Sequence, residues 1–88
     1  MRTKIFDFYS DSGHGWLKVP RHLLAALGII DKITRYSYQR KGYVYLEEDG
    51  DLSLFVKAMY ELGVEVKFRE HSTSKASKIR SYLPFFRV

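Results

Sequence analysis

One segment of the chain combines residue types that could carry out catalysis. Asp11, Ser12 and His14 lie close together, and an acid, a hydroxyl and an imidazole are the groups of a nucleophilic triad. Residues so close in sequence do not reach triad geometry in an ordinary turn, and the spacing matches neither a phosphate-binding loop nor a dinucleotide-binding motif. The glycines on either side of His14 favour a turn at positive φ between two strands. An enzyme centred on His14, with Asp11 or Ser12, is therefore the weakest of three functional hypotheses.

Metal-ligating residue types are present without metal-binding spacing. The chain has no cysteine, and none of its three histidines stands in a zinc-binding pattern. The acidic run from Glu47 to Asp51 lacks the alternation of a calcium loop. Acidic residues are favoured at the start of a helix, so we predict that Asp49 or Asp51 caps one. The sequence predicts no catalytic residue, no metal and no cofactor.

The strongest binding pattern lies in residues 35–45, where tyrosines alternate with cations. The segment holds Arg35, Tyr36, Tyr38, Arg40, Lys41, Tyr43 and Tyr45. On an exposed sheet face such tyrosines stack on bases while the cations contact phosphates, as in single-strand binding platforms. Tyrosine and arginine also anchor many protein interfaces. The alternative is that these tyrosines pack against helices, with their hydroxyls at the rim of the sheet.

The charge distribution suggests a second binding element at the C-terminal end. The net charge is +5, and residues 69–88 hold five Lys or Arg against one Glu. A basic segment can meet nucleic acid, an acidic protein or anionic lipid. No apolar run approaches the roughly 20 residues that span a bilayer, and the first ten residues lack a signal-peptide core. We expect a cytoplasmic protein that does not act at a membrane.

The first half of the chain is predicted to form a hairpin and a short helix. Residues 3–9 and 16–19 have strand patterns and flank the glycine-containing turn. Pro20 suits the first helical position, three leucines provide an apolar stripe, and Gly28 is the predicted stop.

The second half repeats this order with a longer helix. Residues 34–39 and 43–47 predict a second hairpin, and residues 52–62 a helix that ends at Gly63. Val64, Val66 and Phe68 alternate in a last strand, and residues 70–78 predict a loop. The apolar residues among 79–88 are expected to dock on the body.

The sequence thus predicts a single α+β domain over residues 1–88. The expected architecture is a two-layer sandwich of order ββα-ββα-β, with about five mainly antiparallel strands and two helices.

Two resemblances accompany these patterns. The stretch Trp16-Leu17-Lys18-Val19-Pro20-Arg21, followed by Leu27-Gly28-Ile29 and Asp31-Lys32-Ile33, resembles the AbrB-like swapped-hairpin regulators. Over nearly its whole length the chain resembles small bacteriophage- and plasmid-encoded proteins without assigned activity. The residues that carry this second resemblance are Gly13-His14-Gly15-Trp16-Leu17, Tyr36-Ser37-Tyr38-Gln39-Arg40, Tyr45-Leu46-Glu47-Glu48-Asp49 and Ile79-Arg80-Ser81-Tyr82. It implies a phage or mobile-element setting, in which small proteins commonly bind and block a host factor.

The leading hypothesis is a non-catalytic phage or mobile-element accessory protein that binds a host or phage protein and inhibits a host or defence factor. The alternative is a nucleic-acid-binding protein that uses the hairpin at 35–45 and the basic C-terminal segment. The chain acts either as a monomer or as a homodimer. The predicted binding residues are Trp16, Tyr36, Tyr38, Arg40, Lys41, Lys78 and Arg80.

Overall fold

Six strands and two helices follow one another in the described part of the chain, residues 1–86 of a computed structural model. They are β1 (Arg2–Ser10), β2 (Gly15–Pro20), α1 (Arg21–Ala26), β3 (Tyr38–Arg40), β4 (Tyr43–Glu47), α2 (Asp51–Glu61), β5 (Val64–Ser72) and β6 (Leu83–Pro84). The predicted α+β class is confirmed. The predicted count of five strands is wrong, because the C-terminal segment adds the short β6 to the sheet. Arg87 and Val88, which belong to the segment expected to dock, lie outside the described residues.

The strands form one mixed sheet in the order β5-β1-β2-β4-β3-β6. β1 and β5 pair in parallel over nine residues each, and the other four pairings are antiparallel. The mainly antiparallel prediction missed this long parallel pair. The helix α2 connects β4 to β5 as a crossover, which is the connection that parallel strands need. β5 therefore lies beside β1 at one edge instead of beside its neighbours in sequence.

One face of the sheet packs against both helices. Val44 and Leu46, and not the tyrosines that alternate with them, face the helices and are fully buried there. α1 contributes Leu24 and α2 contributes Phe55, whose ring meets Phe6 edge-on at 5.2 Å. Gly28 and Gly63, the predicted stops, follow the two helices at positive φ. Pro20 closes β2 instead of opening α1, because its extended backbone (ψ 136°) continues the strand.

The opposite face of the central strands is buried as well. A second cluster contains Trp16, Tyr45 and Ile79, with Tyr9, Tyr38 and Tyr82 packed around it. Ile79 and Tyr82 come from the C-terminal segment, which includes a 3₁₀ turn at Lys78–Ser81. Docking of this segment was predicted, and the burial of Ile79 and Phe85 confirms it for those two side chains. A plain two-layer sandwich therefore does not describe the fold, because the segment covers part of the second sheet face.

Besides Pro20, two predicted element boundaries are wrong by three residues or more. The strand predicted over residues 34–39 begins only at Tyr38, because Thr34 and Ser37 are held in a turn by the carboxylate of Asp51. The loop predicted over residues 70–78 begins only after Ser72, because pairing with β1 extends β5 by three residues. In both cases a distant partner overrides the local pattern.

The adjacent residues Phe85 and Phe86 provide a matched test of how much the docked segment stabilises the fold. Phe85 is 1% exposed and Phe86 is 50% exposed. We expect Phe85→Ala to lower the free energy of unfolding by about 3–5 kcal/mol, because it opens a cavity in the core, and Phe86→Ala to change it by less than about 1 kcal/mol. Urea unfolding followed by circular dichroism measures both. Equal, small effects of the two variants would show that packing of the C-terminal segment through Phe85 does not stabilise the core.

Candidate functional site

A cleft of about 700 Å³ opens at the end of the sheet where β2 begins and β4 ends. It brings together four of the seven predicted binding residues, Trp16, Tyr36, Tyr38 and Arg80. The other lining residues are His14, Thr34, Arg35, Glu47, Asp49, Gly50 and Asp51. The cleft therefore combines aromatic rings, cations and carboxylates. We take it as the candidate functional site.

Trp16 forms the floor of the cleft and is 2% exposed. Its ring meets Tyr38 at a centroid distance of 6.1 Å, and the Arg80 guanidinium lies over it at 5.4 Å. A side chain buried this deeply presents almost no surface to a partner. The role predicted for Trp16, direct contact with a partner, is therefore replaced by support of Arg80 and Tyr38 from below.

Arg80 is held in place by the carboxylate of Asp11. Its Nε and Nη2 donate to the two carboxylate oxygens at 2.6 and 2.8 Å, and the backbone amides of Gly13, His14 and Ser77 donate to the same carboxylate. The Arg80 guanidinium and then the Ser77 amide hold the pKa of Asp11 well below its usual range. Arg80 and the backbone amides occupy both carboxylate oxygens of Asp11, and among the described residues the His14 ring makes no hydrogen bond to it. The Asp11–His14 contact on which the enzyme hypothesis depends is therefore not formed in this arrangement.

The glycines of this turn have a different role from the one predicted. Neither Gly13 nor Gly15 adopts positive φ. A side chain at Gly15 would collide with the ring of Phe8, and one at Gly13 would lie 3.0 Å from Nη2 of Arg80. The glycines therefore permit close approach of a ring and of the guanidinium, which no local turn rule reveals.

The loop that carries Tyr36 is organised by the buried carboxylate of Asp51. Its Oδ2 accepts hydrogen bonds from the Thr34 amide (3.0 Å), the Thr34 hydroxyl (2.7 Å) and the Ser37 hydroxyl (2.6 Å). Ser37 is fully buried, and its hydroxyl also accepts from the amide of Glu47 at 3.0 Å. The loop is thus bound to α2 and β4 at once. Between these fixed points Tyr36 projects outward with 81% of its surface exposed.

Glu47, and not the predicted Asp49 or Asp51, caps the start of α2. Its two carboxylate oxygens accept from the amides of Asp49, Gly50 and Asp51 at 2.7–2.8 Å. The amides of Gly50 and Asp51 are among those that a helix start leaves without a partner. Among residues 1–86 no group of His, Cys, Asp and Glu side chains is arranged to hold a metal ion.

The remaining predicted binding residues lie outside the cleft. Arg40 is stacked over the ring of Tyr82 at 5.0 Å, and Lys41 occupies the hairpin turn at φ 49°. Lys78 lines a separate cavity beside Lys75. The structure therefore divides the predicted site into a cleft and scattered cations.

The tyrosines of the 35–45 segment do not form one exposed platform. Tyr36 is 81% exposed and Tyr43 40%, whereas Tyr45 is 7% exposed and packs edge-on against Tyr82 at 5.1 Å. Burial, followed by the neighbouring Tyr82 and Tyr9, raises the pKa of Tyr45 to about 12. A nucleic acid that stacked along this hairpin would therefore meet one largely exposed ring, Tyr36, and two partly exposed rings, Tyr38 and Tyr43.

Comparison with protein-family models, with curated proteins and with solved structures finds no match to this chain. Within the described residues, neither helix is long and apolar enough to cross a membrane. The function is therefore inferred from the geometry of the cleft. The predicted set of binding residues left out Arg35, Asp11 and Asp51, because the sequence offered Arg35 only as one cation of the tyrosine-rich segment, Asp11 as a catalytic group and Asp51 as a helix cap. Asp11 lies in a recognisable turn pattern, but its partner Arg80 is 69 positions away and could not be assigned.

The Asp11 carboxylate is expected to make stability depend on pH in the acid range. Because its pKa is lowered in the folded state, the stabilisation is fully present above its ordinary value of 3.8 and is lost as pH falls towards the folded-state pKa. Wild type should therefore exceed Asp11→Asn in melting temperature at neutral pH, and the difference should shrink below about pH 4. Differential scanning fluorimetry across pH measures this. The exposed Asp31 gives the control, since Asp31→Asn should behave like wild type. A difference that stays constant with pH would contradict the prediction.

The Asp51 carboxylate is expected to be the more important of two neighbouring acids at the start of α2. Asp51→Ala leaves the buried Ser37 hydroxyl and the Thr34 groups without their acceptor, and should lower the free energy of unfolding by about 3 kcal/mol. Asp49→Ala removes an exposed carboxylate and should change it by less than about 0.5 kcal/mol. Chemical unfolding measures both values. Similar values for the two variants would show that the Asp51 contacts do not hold the loop.

Proposed function

We propose that this chain is a non-catalytic protein-binding module whose cleft contacts a partner protein, with Tyr36 as the central anchor. The observation that carries the proposal is the 81% exposure of Tyr36 on a loop fixed by the buried Asp51. An exposed tyrosine buries a large ring on contact and adds a hydroxyl for hydrogen bonding, which is why tyrosine is frequent among residues that dominate interface energetics.

The fixed loop favours binding because it reduces the entropy that association costs. A flexible loop loses conformational freedom when a partner immobilises it, and a loop already held in one conformation loses less. Here Thr34 and Ser37 are bound to Asp51, and the Tyr36 amide donates to the Thr34 hydroxyl at 3.2 Å. Of this loop, the exposed side chains of Arg35 and Tyr36 then remain to be ordered.

The mixed charge of the cleft favours a protein over a polyanion. Arg35 lies in the same cleft as Glu47 and Asp49, and the charge of Arg80 is compensated by Asp11. Carboxylates beside the cations would repel a nucleic-acid backbone, whereas a protein surface offers both signs of charge. The alternative, nucleic-acid binding, would depend on cations such as Arg40, Lys41 and Lys78, which lie outside the cleft.

The setting of the proposal comes from the resemblance to phage- and plasmid-encoded proteins. In that setting the partner is a host or defence protein in the cytoplasm, and binding blocks its activity. A small module without a catalytic step acts by occupying a surface. Its effect is then expected to scale with the fraction of partner bound.

A pair of tyrosine variants tests the proposal. Tyr36 and Tyr60 are both exposed, at 81% and 62%, and Tyr60 lies on α2 away from the cleft. Tagged wild-type protein is used to recover a partner from a bacterial host lysate, and the affinity of the purified pair is then measured by calorimetry. Tyr36→Ala should weaken binding by roughly thirtyfold or more, as expected for an interface residue that contributes about 2 kcal/mol. Tyr60→Ala should leave the affinity unchanged.

Two results would overturn the proposal. One is recovery of the same partner with equal affinity by wild type and Tyr36→Ala, which would mean that the cleft is not the binding surface. The other is sequence- or strand-selective binding of oligonucleotides that falls steeply with salt, which is the behaviour of the alternative function.

A further inference from the structure

The strand β5 forms a long free edge of the sheet, since it lies last in the strand order and pairs only with β1 among the described residues. The hydrogen bonds at the two ends of the β1–β5 pair show which residues of β5 point their backbone groups towards β1. Arg2 donates its amide to the Gly63 carbonyl, and the Thr73 amide donates to the Ser10 carbonyl. Alternate residues of a strand bond to the same neighbour, so the odd-numbered residues of β5 face β1. The amides and carbonyls of the even-numbered residues, from Val64 to Ser72, point outward.

This edge lacks two of the devices that commonly block edge pairing. Its pairing with β1 runs through nine consecutive residues without a bulge, and it contains no proline. Such an edge is a template for another strand. On the helix side its apolar residues continue into a groove of about 470 Å³ between β5 and α2, lined by Val56, Tyr60 and Phe68. Phe68 is 41% exposed there.

We propose that two copies of this chain pair through β5, antiparallel about a twofold axis at Lys67, to form one continuous sheet. In an antiparallel pair, residues that stand opposite each other have their side chains on the same face of the sheet. A twofold axis between two copies of one strand must therefore lie where a residue stands opposite its own copy. With the axis at Lys67, Val66 and Phe68 of the two copies stand opposite on the helix side. The backbone amides and carbonyls of Val66 and Phe68 point away from β1, so Val66 of one copy and Phe68 of the other would exchange backbone hydrogen bonds.

Charge on the other face and the length of paired strand together select this register. With the axis at Lys67, Glu65 of each copy stands opposite Arg69 of the other, in pairs whose side chains are close. With the axis at Phe68, Lys67 would stand opposite Arg69 twice. With the axis at Val66, Glu65 would stand opposite Lys67 twice, but only residues 64–68 of the two strands would pair, whereas the axis at Lys67 pairs residues 64–70. The Lys67 pair on the chosen axis is the one repulsive contact on this face. Within each copy Lys67 Nζ lies 3.7 Å from Glu65 and Arg69 Nη1 lies 3.4 Å from Asp7, so the attractive and the repulsive pairs are all partly compensated, and two attractive pairs outnumber one repulsive pair.

The dimer is independent of the proposed protein-binding cleft. The cleft is lined by residues of β2 and β4, and β1 lies between β2 and β5 in the sheet. Pairing through β5 leaves Tyr36 of both copies free. A failure of dimerisation therefore leaves the cleft proposal intact, and the reverse also holds.

Cysteine substitution tests the register directly, because the chain has no cysteine of its own. On a twofold axis a residue meets its own copy, and in a non-hydrogen-bonded pair the two Cα atoms are about 4.5 Å apart, within the range of a disulfide. Under mild oxidation Lys67→Cys should form a covalent dimer in high yield. Phe68→Cys, which would lie on the axis of the competing register, and Lys41→Cys, in the exposed hairpin turn, should give only background. Efficient crosslinking at Phe68→Cys without crosslinking at Lys67→Cys would overturn the assigned register.

Sedimentation velocity of the unmodified chain tests the dimer itself. The expected mass at high concentration is twice the 10.4 kDa of the chain. Glu65→Lys should weaken the dimer on the order of tenfold, because it turns both Glu65–Arg69 pairs repulsive. Glu61→Lys, the same charge change on the exposed end of α2, should not. A single-chain mass up to millimolar concentration would overturn the proposal, as would equal dimer affinity for Glu65→Lys and wild type.

Discussion

The ion pair between Arg80 and Asp11 joins parts of the chain that are 69 positions apart, and the arrangement of the second sheet face depends on it. Asp11 is fixed in the turn between β1 and β2 by the amides of Gly13 and His14. Through Arg80 and the Ser77 amide it holds the start of the C-terminal segment against the sheet. From that point the chain places Ile79 between Trp16 and Tyr45, and these side chains become a second core.

Covering that face decides which residues remain available for function. Trp16 and Tyr45 have the composition of a binding surface, but the docked segment makes them interior residues. What remains at the end of the sheet is a cleft with Arg80 on one wall and the Tyr36 loop on the other. Asp51 keeps that loop in place from inside the molecule, since its carboxylate binds Thr34 and Ser37. Two carboxylates, Asp11 and Asp51, thus fix the positions of Arg80 and of the Tyr36 loop.

The two edges of the sheet differ in a way that follows from their lengths. β6 has two residues and β3 has three, so that edge offers few free backbone groups. β5 has nine residues and alternates apolar and charged side chains over residues 64–69. Strand addition is therefore expected at β5. The cleft and the β5 edge are two separate surfaces of the molecule, and we propose a partner protein for the first and a second copy of the chain for the second.

The amino-acid sequence by itself determined the α+β class and the order of both helices and the first five strands. These properties follow from periodicity and from glycine positions, as at Gly28 and Gly63, which act within a few residues. Tyr36 and Tyr38 could be recognised as binding candidates for the same reason, since their residue type and spacing are local.

Only the tertiary structure decided the parallel β1–β5 pair, the burial of Trp16 and the use of Arg80 as a partner of Asp11. Each of these depends on two segments that lie far apart in sequence, and residue patterns within a window carry no information about which distant segment will be the partner. At the turn from Thr34 to Ser37, a distant residue also changes the structure that the local pattern predicts. Its alternation predicts a strand, but the free energy of satisfying the buried Asp51 carboxylate exceeds the local β preference.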